Sequence, residues 1–418
     1  MRILFISAAN EAGSMVPLPL GLACVAAATE QAGHRVRLLA LGPDADCENE
    51  VRQAIGRLSP HVIGVSVRNI DDQNMQSPCF LLAGLRQVVA ACRAASSAPI
   101  VVGGAGYSIF PESALAYLGV DIGIRGEGEA AFPVLLSWLE QGSQSAPPPA
   151  TYFPDGSHAP TQFAPALDDF LLPEPRLWLD FPGSPTMRIP VQSRRGCPLD
   201  CIYCSTSAIE GRPVRRRSSE SVVRWLTALR QDGFRHFHFV DNTFNLPPSY
   251  AKELCRKLVS ADLGLDWWAI VYPKWVDSEL AELMAKAGCT EVSLGFESGS
   301  ETMLPQLNKR FTCTEVRDIS DTLAGVGIKR DGFLLLGGPH ETRDTVEESL
   351  DFAESLYLDS LKITVGLRIY PHTPLASTAL EDGLVRPDDN LLFPRFYISP
   401  SLRDWLPDRI ARRNSDQG

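Results

Sequence analysis

Short apolar runs alternate with helix-type patterns over the first 142 residues, and this alternation limits the fold more than any other feature of the sequence. The apolar runs occupy 3–7, 36–41, 62–67, 99–104 and 120–125, and the helical patterns lie near 19–32, 48–57, 79–95, 109–117 and 128–141. Strands that are apolar throughout are typical of a parallel sheet with helices on both faces. Residues 1–142 are therefore predicted to form a doubly wound, Rossmann-like α/β domain.

The loops that follow these strands are rich in small and polar residues. A parallel sheet of this kind binds ligands beyond the carboxyl ends of its strands, where GGAGYS follows the fourth strand and GEGE the fifth. Glycine lets a backbone approach a ligand closely, although each loop is equally what a tight turn requires. We predict a ligand site at this edge, with Gly104, Gly106, Gly126 and Glu127 among its residues.

Three segments of this domain resemble cobalamin-binding domains: PLPLGLACVAAATEQAGHRV (17–36), GGAGYSIFPE (103–112) and RGEGEAAFPVLL (125–136). The resemblance implies that the ligand is cobalamin. Cobalamin domains that supply a histidine to the cobalt carry Asp-x-His-x-x-Gly after the first strand, and residues 8–13 contain no histidine. Two expectations stay open: cobalamin bound without a histidine ligand, or a domain that has lost cobalamin.

Composition limits the possible partners. A net charge of −11 argues against general nucleic-acid binding, which needs a basic surface. The one basic run, at 212–217, is either a solvated face or a clamp for an anionic group. No apolar run is long enough to span a membrane, and ten cysteines without an export signal indicate a cytoplasmic protein that uses them as thiols and metal ligands.

A second α/β region follows a Pro- and Ser-rich stretch, 143–187, that is predicted to be a linker. Its strands are predicted at 187–193, 234–241, 266–271, 290–297, 331–338 and 361–370, with helices near 219–232, 249–260, 277–287, 314–326 and 343–357. Six βα units are too few for a closed eight-stranded barrel. We expect an open, partial (β/α)6 barrel over 188–375 and a short C-terminal cap over 376–418, with Arg395 and Tyr397 at the substrate pocket.

Three cysteines share one short loop after the first strand of this barrel. Cys197, Cys201 and Cys204 have the spacing C-x3-C-x2-C. Three thiolates can bind three irons of a 4Fe–4S cluster and leave the fourth iron open, whereas a fully ligated cluster usually has four cysteines. Structural zinc is the alternative, but it takes four Cys or His ligands, commonly in pairs. Because no second pair lies nearby, the sequence favours the cluster.

The second region resembles the radical S-adenosylmethionine (SAM) core. The resemblance rests on RRGCPLDCIYC (194–204), VDNTFN (240–245), GFESGS (295–300), LLGGPHET (335–342) and RIYPHTPL (368–375). It implies that the open iron binds the methionine moiety of SAM, that Tyr203 packs beside the adenine, and that polar residues at the strand ends contact the rest of the cofactor. The candidates for these contacts are Asp241, Asn242, Asn245, Glu297, Ser298 and Arg368.

Two positions depart from the family pattern. Asn242 stands where a second aspartate is more usual, and His372 where glycine is more usual. His372 is expected to be a turn residue, with an acid–base role as the alternative. Glu341 and Thr342 are expected to start the helix that follows the fifth strand.

Taken together, the two resemblances imply a cobalamin-dependent radical SAM methyltransferase. Its substrate is expected to be a small molecule or lipid precursor, and its electrons to come from a flavodoxin or ferredoxin. An alternative is a radical SAM enzyme without cobalamin that performs rearrangement, dehydration, cyclisation or 3-amino-3-carboxypropyl transfer, with the N-terminal domain as a scaffold. A non-enzymatic corrinoid or iron–sulfur sensor is a third possibility, although no DNA-binding motif supports it.

Overall fold

The chain folds into two compact units. The computed structural model describes residues 1–8, 19–42, 45–176 and 187–416. The first unit comprises Met1–Asp72, Cys79–Ile189 and Thr206–Arg217, and the second comprises Gln73–Pro78, Pro190–Ser205 and Ser218–Gly418. Each unit therefore includes a short segment from the part of the sequence that mainly builds the other.

A six-stranded sheet forms the centre of the first unit. Its order is β2-β1-β3-β4-β5-β6, and the first five strands are parallel. The strands are β1 (Arg2–Ala8), β2 (Arg35–Leu41), β3 (Val62–Ser66), β4 (Ile100–Gly103), β5 (Ile122–Ile124) and β6 (Thr151–Tyr152), and the helices are α1 (Leu20–Gln31), α2 (Cys47–Leu58), α3 (Leu82–Ala95), α4 (Ala105–Ile109), α5 (Pro111–Leu118) and α6 (Gly128–Glu140). The predicted doubly wound parallel sheet is confirmed. The helix predicted at 109–117 corresponds to α5, which Pro111 starts, and α4 lies in a stretch that was predicted to be a loop.

Strand β6 lies within the predicted linker. Thr151 and Tyr152 are buried and pair antiparallel with Ile124 and Gly123 of β5. Two residues are too few to show a periodic pattern, so the sequence predicts only a connector here. The structure instead adds an edge strand to the first sheet, while residues 177–186 of the predicted linker lie outside the described ranges.

The strand order fixes where this sheet binds a ligand. The strand order 2-1-3-4-5 reverses between β1 and β3, because successive strands are added first on one side of β1 and then on the other. This reversal opens a crevice at the carboxyl ends of these parallel strands. The loops after β3 and β4 therefore lie at the predicted ligand edge. The loop after β1, including the positions without the cobalt-binding histidine, falls at residues 9–18, outside the described residues.

Gly104 and Gly106 follow β4, and the neighbouring loop after β3 explains both glycines. A Cβ atom on Gly104 would lie 2.6 Å from the Val67 carbonyl oxygen, and one on Gly106 would lie 3.0 Å from the Arg68 carbonyl oxygen. The amide N–H of Gly106 donates to both carbonyls, at 3.0 and 2.8 Å. The glycines thus let two loops pack at the carboxyl edge, and their contact with a ligand stays a prediction.

We predict that Gly104→Ala destabilises the first unit by about 3 kcal/mol, because the new methyl group overlaps the Val67 backbone and alanine disfavours a φ of +111°. Gly33→Ala is the matched control, since Gly33 has a φ of +86° with no atom within 4 Å of the added Cβ. Its cost is backbone strain alone, about 1 kcal/mol. Hydrogen–deuterium exchange of the β1 and β3 amides measures both. Equal losses in the two variants would contradict the packing explanation.

The second unit contains another six-stranded sheet, with its strands in chain order from β7 to β14. The main strands are β7 (Ile189–Val191), β10 (His236–Phe239), β11 (Asp266–Val271), β12 (Cys289–Glu297), β13 (Lys329–Leu336) and β14 (Ser360–Val365). The helices between them are α8 (Ser219–Gln231), α9 (Pro248–Ala261), α10 (Ser278–Lys286), α11 (Met303–Gln306), α12 (Cys313–Gly325) and α13 (Arg343–Ser355). Strands β10 to β14 are parallel, and the sheet has two edges. This is the predicted open arrangement of six βα units.

Short elements complete the structure. They are β8 (Arg194–Arg195), α7 (Thr206–Glu210), β9 (Arg215–Arg216), β15 (Leu367–Arg368), α14 (Pro374–Glu381), β16 (Phe396–Tyr397), a 3-10 turn (Pro400–Leu402) and α15 (Leu406–Asp416). In the predicted cap, the Tyr397 hydroxyl donates to Asp382 at 2.7 Å, and Arg395 pairs with Asp389 at 3.3 Å. Both side chains therefore bind within the cap. None of the helices that the structure describes is both long and apolar enough to cross a membrane.

Glu341 closes the turn between β13 and α13. Its Oε2 atom accepts hydrogen bonds from the amides of Gly337 and Gly338, the second at 2.9 Å, while Oε1 has no hydrogen-bond partner among the described residues. Burial raises the pKa of this carboxyl to about 7, although both amides lower it. Thr342 caps α13 through a reciprocal pair of hydrogen bonds with Thr345. Thr342 starts this helix as expected, whereas the Glu341 carboxylate binds the preceding turn and not the helix amino end.

We predict that Glu341→Gln changes the pH dependence of stability. An acid whose pKa is raised by folding holds its proton more tightly in the folded state, so its contribution is complete below its ordinary pKa of 4.5 and is lost as the pH rises through about 7. The wild type should lose on the order of 3 kcal/mol more than the variant over this range. Urea unfolding at pH 4.5 and pH 8 tests this, and parallel losses in both proteins would show that the carboxyl is already ionised at the lower pH.

Candidate active site

The three predicted cluster ligands lie in a loop of the second unit that follows β7. Cys197 is buried, whereas Cys201 and Cys204 are partly exposed. The amide N–H of Cys204 donates to the Cys201 carbonyl oxygen at 3.2 Å, which closes a tight turn between them. The loop thus presents its thiols from one short folded segment at the carboxyl end of a strand.

The thiols are close enough to influence one another electrostatically. Burial raises the pKa of Cys197. The neighbouring thiols of Cys204 and Cys201 raise this pKa further, and the Arg194 guanidinium lowers it. Burial also raises the pKa of Cys201, where the Lys309 ammonium opposes the effect. A cation beside a thiol favours the thiolate, which is the form that binds metal.

This arrangement fits a cluster in which each cysteine binds a different iron. Within the described ranges, no three Cys, His, Asp or Glu residues form a group that could hold a single metal ion. The three thiols on one loop, with Arg194 and Lys309 as neighbouring cations, are the candidate site for a multi-iron cluster.

Asp241 fastens the beginning of the cysteine loop. Its Oδ1 atom accepts hydrogen bonds from the backbone amides of Ser193 at 2.8 Å and Arg194 at 3.2 Å, and Oδ2 accepts one from the Ser193 hydroxyl at 2.6 Å. The side chain is fully buried, and burial raises its pKa to about 6 against the lowering effect of Arg194 and these donors. Asp241 therefore fixes the loop that carries the cysteines, and its contact with SAM stays a prediction.

Asn245 holds the loop that follows β11. Its amide nitrogen donates to the carbonyl oxygens of Tyr272 at 2.9 Å and Lys274 at 2.6 Å, and its oxygen accepts the Tyr272 amide at 3.0 Å. Three hydrogen bonds occupy most of the capacity of a buried Asn side chain. Asn245 therefore orders the protein backbone beside the site.

Two further candidates, Ser298 and Arg368, also form hydrogen bonds within the protein. The Ser298 hydroxyl lies 2.9 Å from that of Ser349 and accepts the Ser300 amide at 3.2 Å. The buried Arg368 guanidinium donates to carbonyl oxygens, among them those of Ile369 at 2.5 Å and Leu391 at 2.9 Å. Both residues stabilise loops at the carboxyl edge of the sheet, and their contact with a cofactor stays a prediction.

Glu297 and Tyr203 are brought together around a residue that the sequence did not single out, Lys309. Glu297 ends β12 at a break in the strand register and has a φ of +62°, a backbone conformation that only a firmly held residue adopts. Its Oε1 atom lies 3.4 Å from the Lys309 ammonium, which also stands 5.3 Å from the centre of the Tyr203 ring. Asn242 is partly exposed at the carboxyl end of β10.

Burial lowers the pKa of Lys309, but Tyr203, Glu297 and Cys201 together raise it well above its ordinary value. The ammonium is therefore a stable cation next to the cysteine loop. Sequence reasoning missed it because a lysine in LNKRFT resembles a surface residue. The available signal was its position between two apolar residues, Leu307 and Phe311, nine residues after the GFESGS motif.

In the first unit, Gly126 and Glu127 lie at the amino end of α6. Gly126 has a φ of +86°, and a Cβ there would lie 3.4 Å from the Phe163 ring. Glu127 pairs with Arg215 at 2.6 Å and accepts the Ala164 amide at 2.7 Å. Both side chains of the ion pair are almost completely buried, so Glu127 has a structural partner, and its contact with cobalamin stays a prediction.

The basic run at 212–217 also takes part in the fold. The buried Arg217 guanidinium donates to the carbonyl oxygens of Leu167 and Phe170, both at 2.7 Å. Arg215 adds bonds to the carbonyls of Ala164 and Glu210. Neither a solvated face nor an anion clamp describes these two arginines, because both bind the interior of their own unit. His372, as expected, occupies a turn, with a φ of +60°.

Two family models match the chain. The Radical SAM superfamily matches residues 191–353, and the B12 binding domain matches residues 11–136. Curated relatives include the uncharacterized methyltransferase PH0819 of Pyrococcus horikoshii, 26% identical over 88% of this chain and 79% of that protein, and tryptophan 2-C-methyltransferase of Streptomyces laurentii, 26% identical over 88% and 73%.

Solved structures share the fold. The radical SAM methyltransferase TsrM of Kitasatospora setae superposes with a TM-score of 0.85 at 23% identity, covering 98% of this chain and 88% of TsrM. The cobalamin-dependent SAM radical enzyme OxsB gives a TM-score of 0.76 at 15% identity, covering 95% of this chain and 64% of OxsB. The predicted combination of the two domains is confirmed: in this chain a B12-binding domain precedes a radical SAM domain.

Proposed function

We propose that this chain is a cobalamin-dependent radical SAM methyltransferase that acts on a small molecule. The observation that carries the proposal is the loop with Cys197, Cys201 and Cys204, whose coupled thiols follow the first strand of an open βα sheet in a chain that also has a B12-binding domain. Relatives named as methyltransferases for tryptophan and for cytidylyl-2-hydroxyethylphosphonate support methyl transfer as the reaction class.

The three cysteines hold the cluster, and the loops after β3 and β4 in the first unit hold cobalamin. When bound, the cluster supplies an electron that breaks a carbon–sulfur bond of SAM, and cobalamin carries the methyl group. The protein's own contribution is to hold these groups in place and to keep water away from them. A low-potential donor, such as a flavodoxin or ferredoxin, supplies the electron.

The residues beside the cysteine loop divide this work. Asp241 orders the segment that leads into Cys197, and Asn245 orders the loop after β11. Glu297 uses one carboxylate oxygen on Lys309, and we assign the other to a hydroxyl or amine of SAM. Tyr203 offers its ring to the adenine, and Asn242 offers an amide at the end of β10.

Anaerobic reconstitution of the full chain with iron, sulfide and hydroxocobalamin tests the function. With a strong reductant and SAM, the wild type should retain cobalamin and form 5′-deoxyadenosine and S-adenosylhomocysteine. A variant with all three cysteines replaced by alanine should retain cobalamin and lose 5′-deoxyadenosine. Wild-type protein that binds no cobalamin would contradict the proposal. Methylthioadenosine as the product would instead indicate 3-amino-3-carboxypropyl transfer.

We predict that Asp241→Ala lowers the iron content of reconstituted protein by more than half. The substitution leaves two buried amides and a hydroxyl without their acceptor, each costing about 1–3 kcal/mol, so the cysteine loop loses its fixed geometry. Asp241→Asn keeps one acceptor oxygen and should retain most of the iron. Ser298→Ala, which breaks a buried hydrogen bond in a loop without cysteines, is the control. Full iron content in Asp241→Ala would contradict this role.

A further inference from the structure

Lys309 is held against the cysteine loop from both sides. The Asn308 amide donates to the Asp200 carbonyl oxygen at 2.9 Å, and the Arg310 guanidinium pairs with the Asp200 carboxylate at 2.7 Å. The Ile202 amide donates to the carbonyl oxygen of Leu307, which precedes these two residues in the sequence, at 3.4 Å. These contacts fasten residues 307–310 along residues 200–202, so the position of Lys309 follows from its neighbours as well as from its own side chain.

The Lys309 side chain is buried to an extent that is unusual for a lysine. It is 4% exposed, whereas the neighbouring Arg310 side chain is 52% exposed. A lysine is almost never fully buried without a partner. Its partners here are the Glu297 carboxylate at 3.4 Å and the Tyr203 ring at 5.3 Å, and its charge lowers the pKa of the Cys201 thiol. An ammonium has three donors, so one carboxylate does not use them all.

A buried cation acts differently from an exposed one on a redox centre. Reduction of a 4Fe–4S cluster adds one negative charge, and hydrogen bonds and positive charges around the cluster sulfurs favour the reduced form. The interaction is strong where water is excluded and weak where water screens it. We therefore expect a strong interaction with the cluster for the buried Lys309. We expect a weak one for Arg310, which is exposed and already paired with Asp200.

We propose that Lys309 is a positioning residue that acts through Cys201: its ammonium donates a hydrogen bond to the Cys201 thiolate and raises the reduction potential of the cluster. The inference rests on the proposed function only in requiring that Cys201 bind a cluster. A low-potential one-electron donor is oxidised as the cluster is reduced, and Lys309 keeps its proton throughout. Glu297 moderates the effect because its carboxylate partly neutralises the ammonium.

Redox titration of the reconstituted full chain, followed by electron paramagnetic resonance without SAM, tests this inference. In Lys309→Gln the ratio of reduced to oxidised cluster at a fixed potential should fall about tenfold, which is ~59 mV for a one-electron couple. Lys309→Arg keeps the charge and should stay close to the wild type. Arg310→Gln removes the neighbouring positive charge and one of the contacts with Asp200, and it should change the ratio far less. Glu297→Gln should shift the potential in the opposite direction.

Several results would overturn the inference. One is a reduction potential in Lys309→Gln that equals that of the wild type. If this variant also binds SAM more weakly, Lys309 serves the SAM carboxylate and not the cluster. Another is an equal shift in Arg310→Gln, because loop geometry would then explain both. If Lys309→Gln assembles no cluster, the opposite shift in Glu297→Gln decides the question. A wild type without cluster signals would contradict the proposed function instead.

Discussion

The hydrogen bonds between Asp241 and the backbone of Ser193 and Arg194 are the interaction on which the candidate site depends. They join the end of one strand to the entry of the cysteine loop on its neighbour, in a region fully closed to water. A loop that must present three thiols in a fixed arrangement cannot rely on its own short turn alone. The buried carboxylate supplies the missing constraint, and it stays in place because three donors and the charge of Arg194 offset the cost of burying it.

The residues around the loop divide into two groups. Asp241, Asn245, Ser298 and Arg368 direct their polar atoms at the protein's own backbone and hydroxyl groups and are buried. Glu297, Tyr203 and Lys309 instead form a largely buried cluster of charge and aromatic surface beside Cys201. The first group keeps the carboxyl edge of the sheet rigid, and the second is the part of this edge suited to meeting a bound cofactor.

The sequence was sufficient for the order of strands and helices, because apolar runs and amphipathic periods are local signals. It was also sufficient for the cysteine loop, whose spacing is a chemical requirement. It did not reveal which polar residues at the strand ends bind the protein's own backbone, since Asp241 and Glu297 are both carboxylates that follow a strand and differ in the groups that surround them. Lys309 and the strand at Thr151 were missed for the same reason: their roles come from residues far away in the sequence.

The contacts of residues 307–310 with residues 200–202 join parts of the chain that lie 108 and 110 positions apart. Such distant contacts form late, because a long stretch of chain must be ordered before its ends can meet. On the ribosome, the cysteine loop emerges well before the segment that fastens it. Iron and sulfide delivered before residues 307–310 emerge would therefore meet a cysteine loop without these contacts, so we expect cofactor loading to follow the synthesis of that segment.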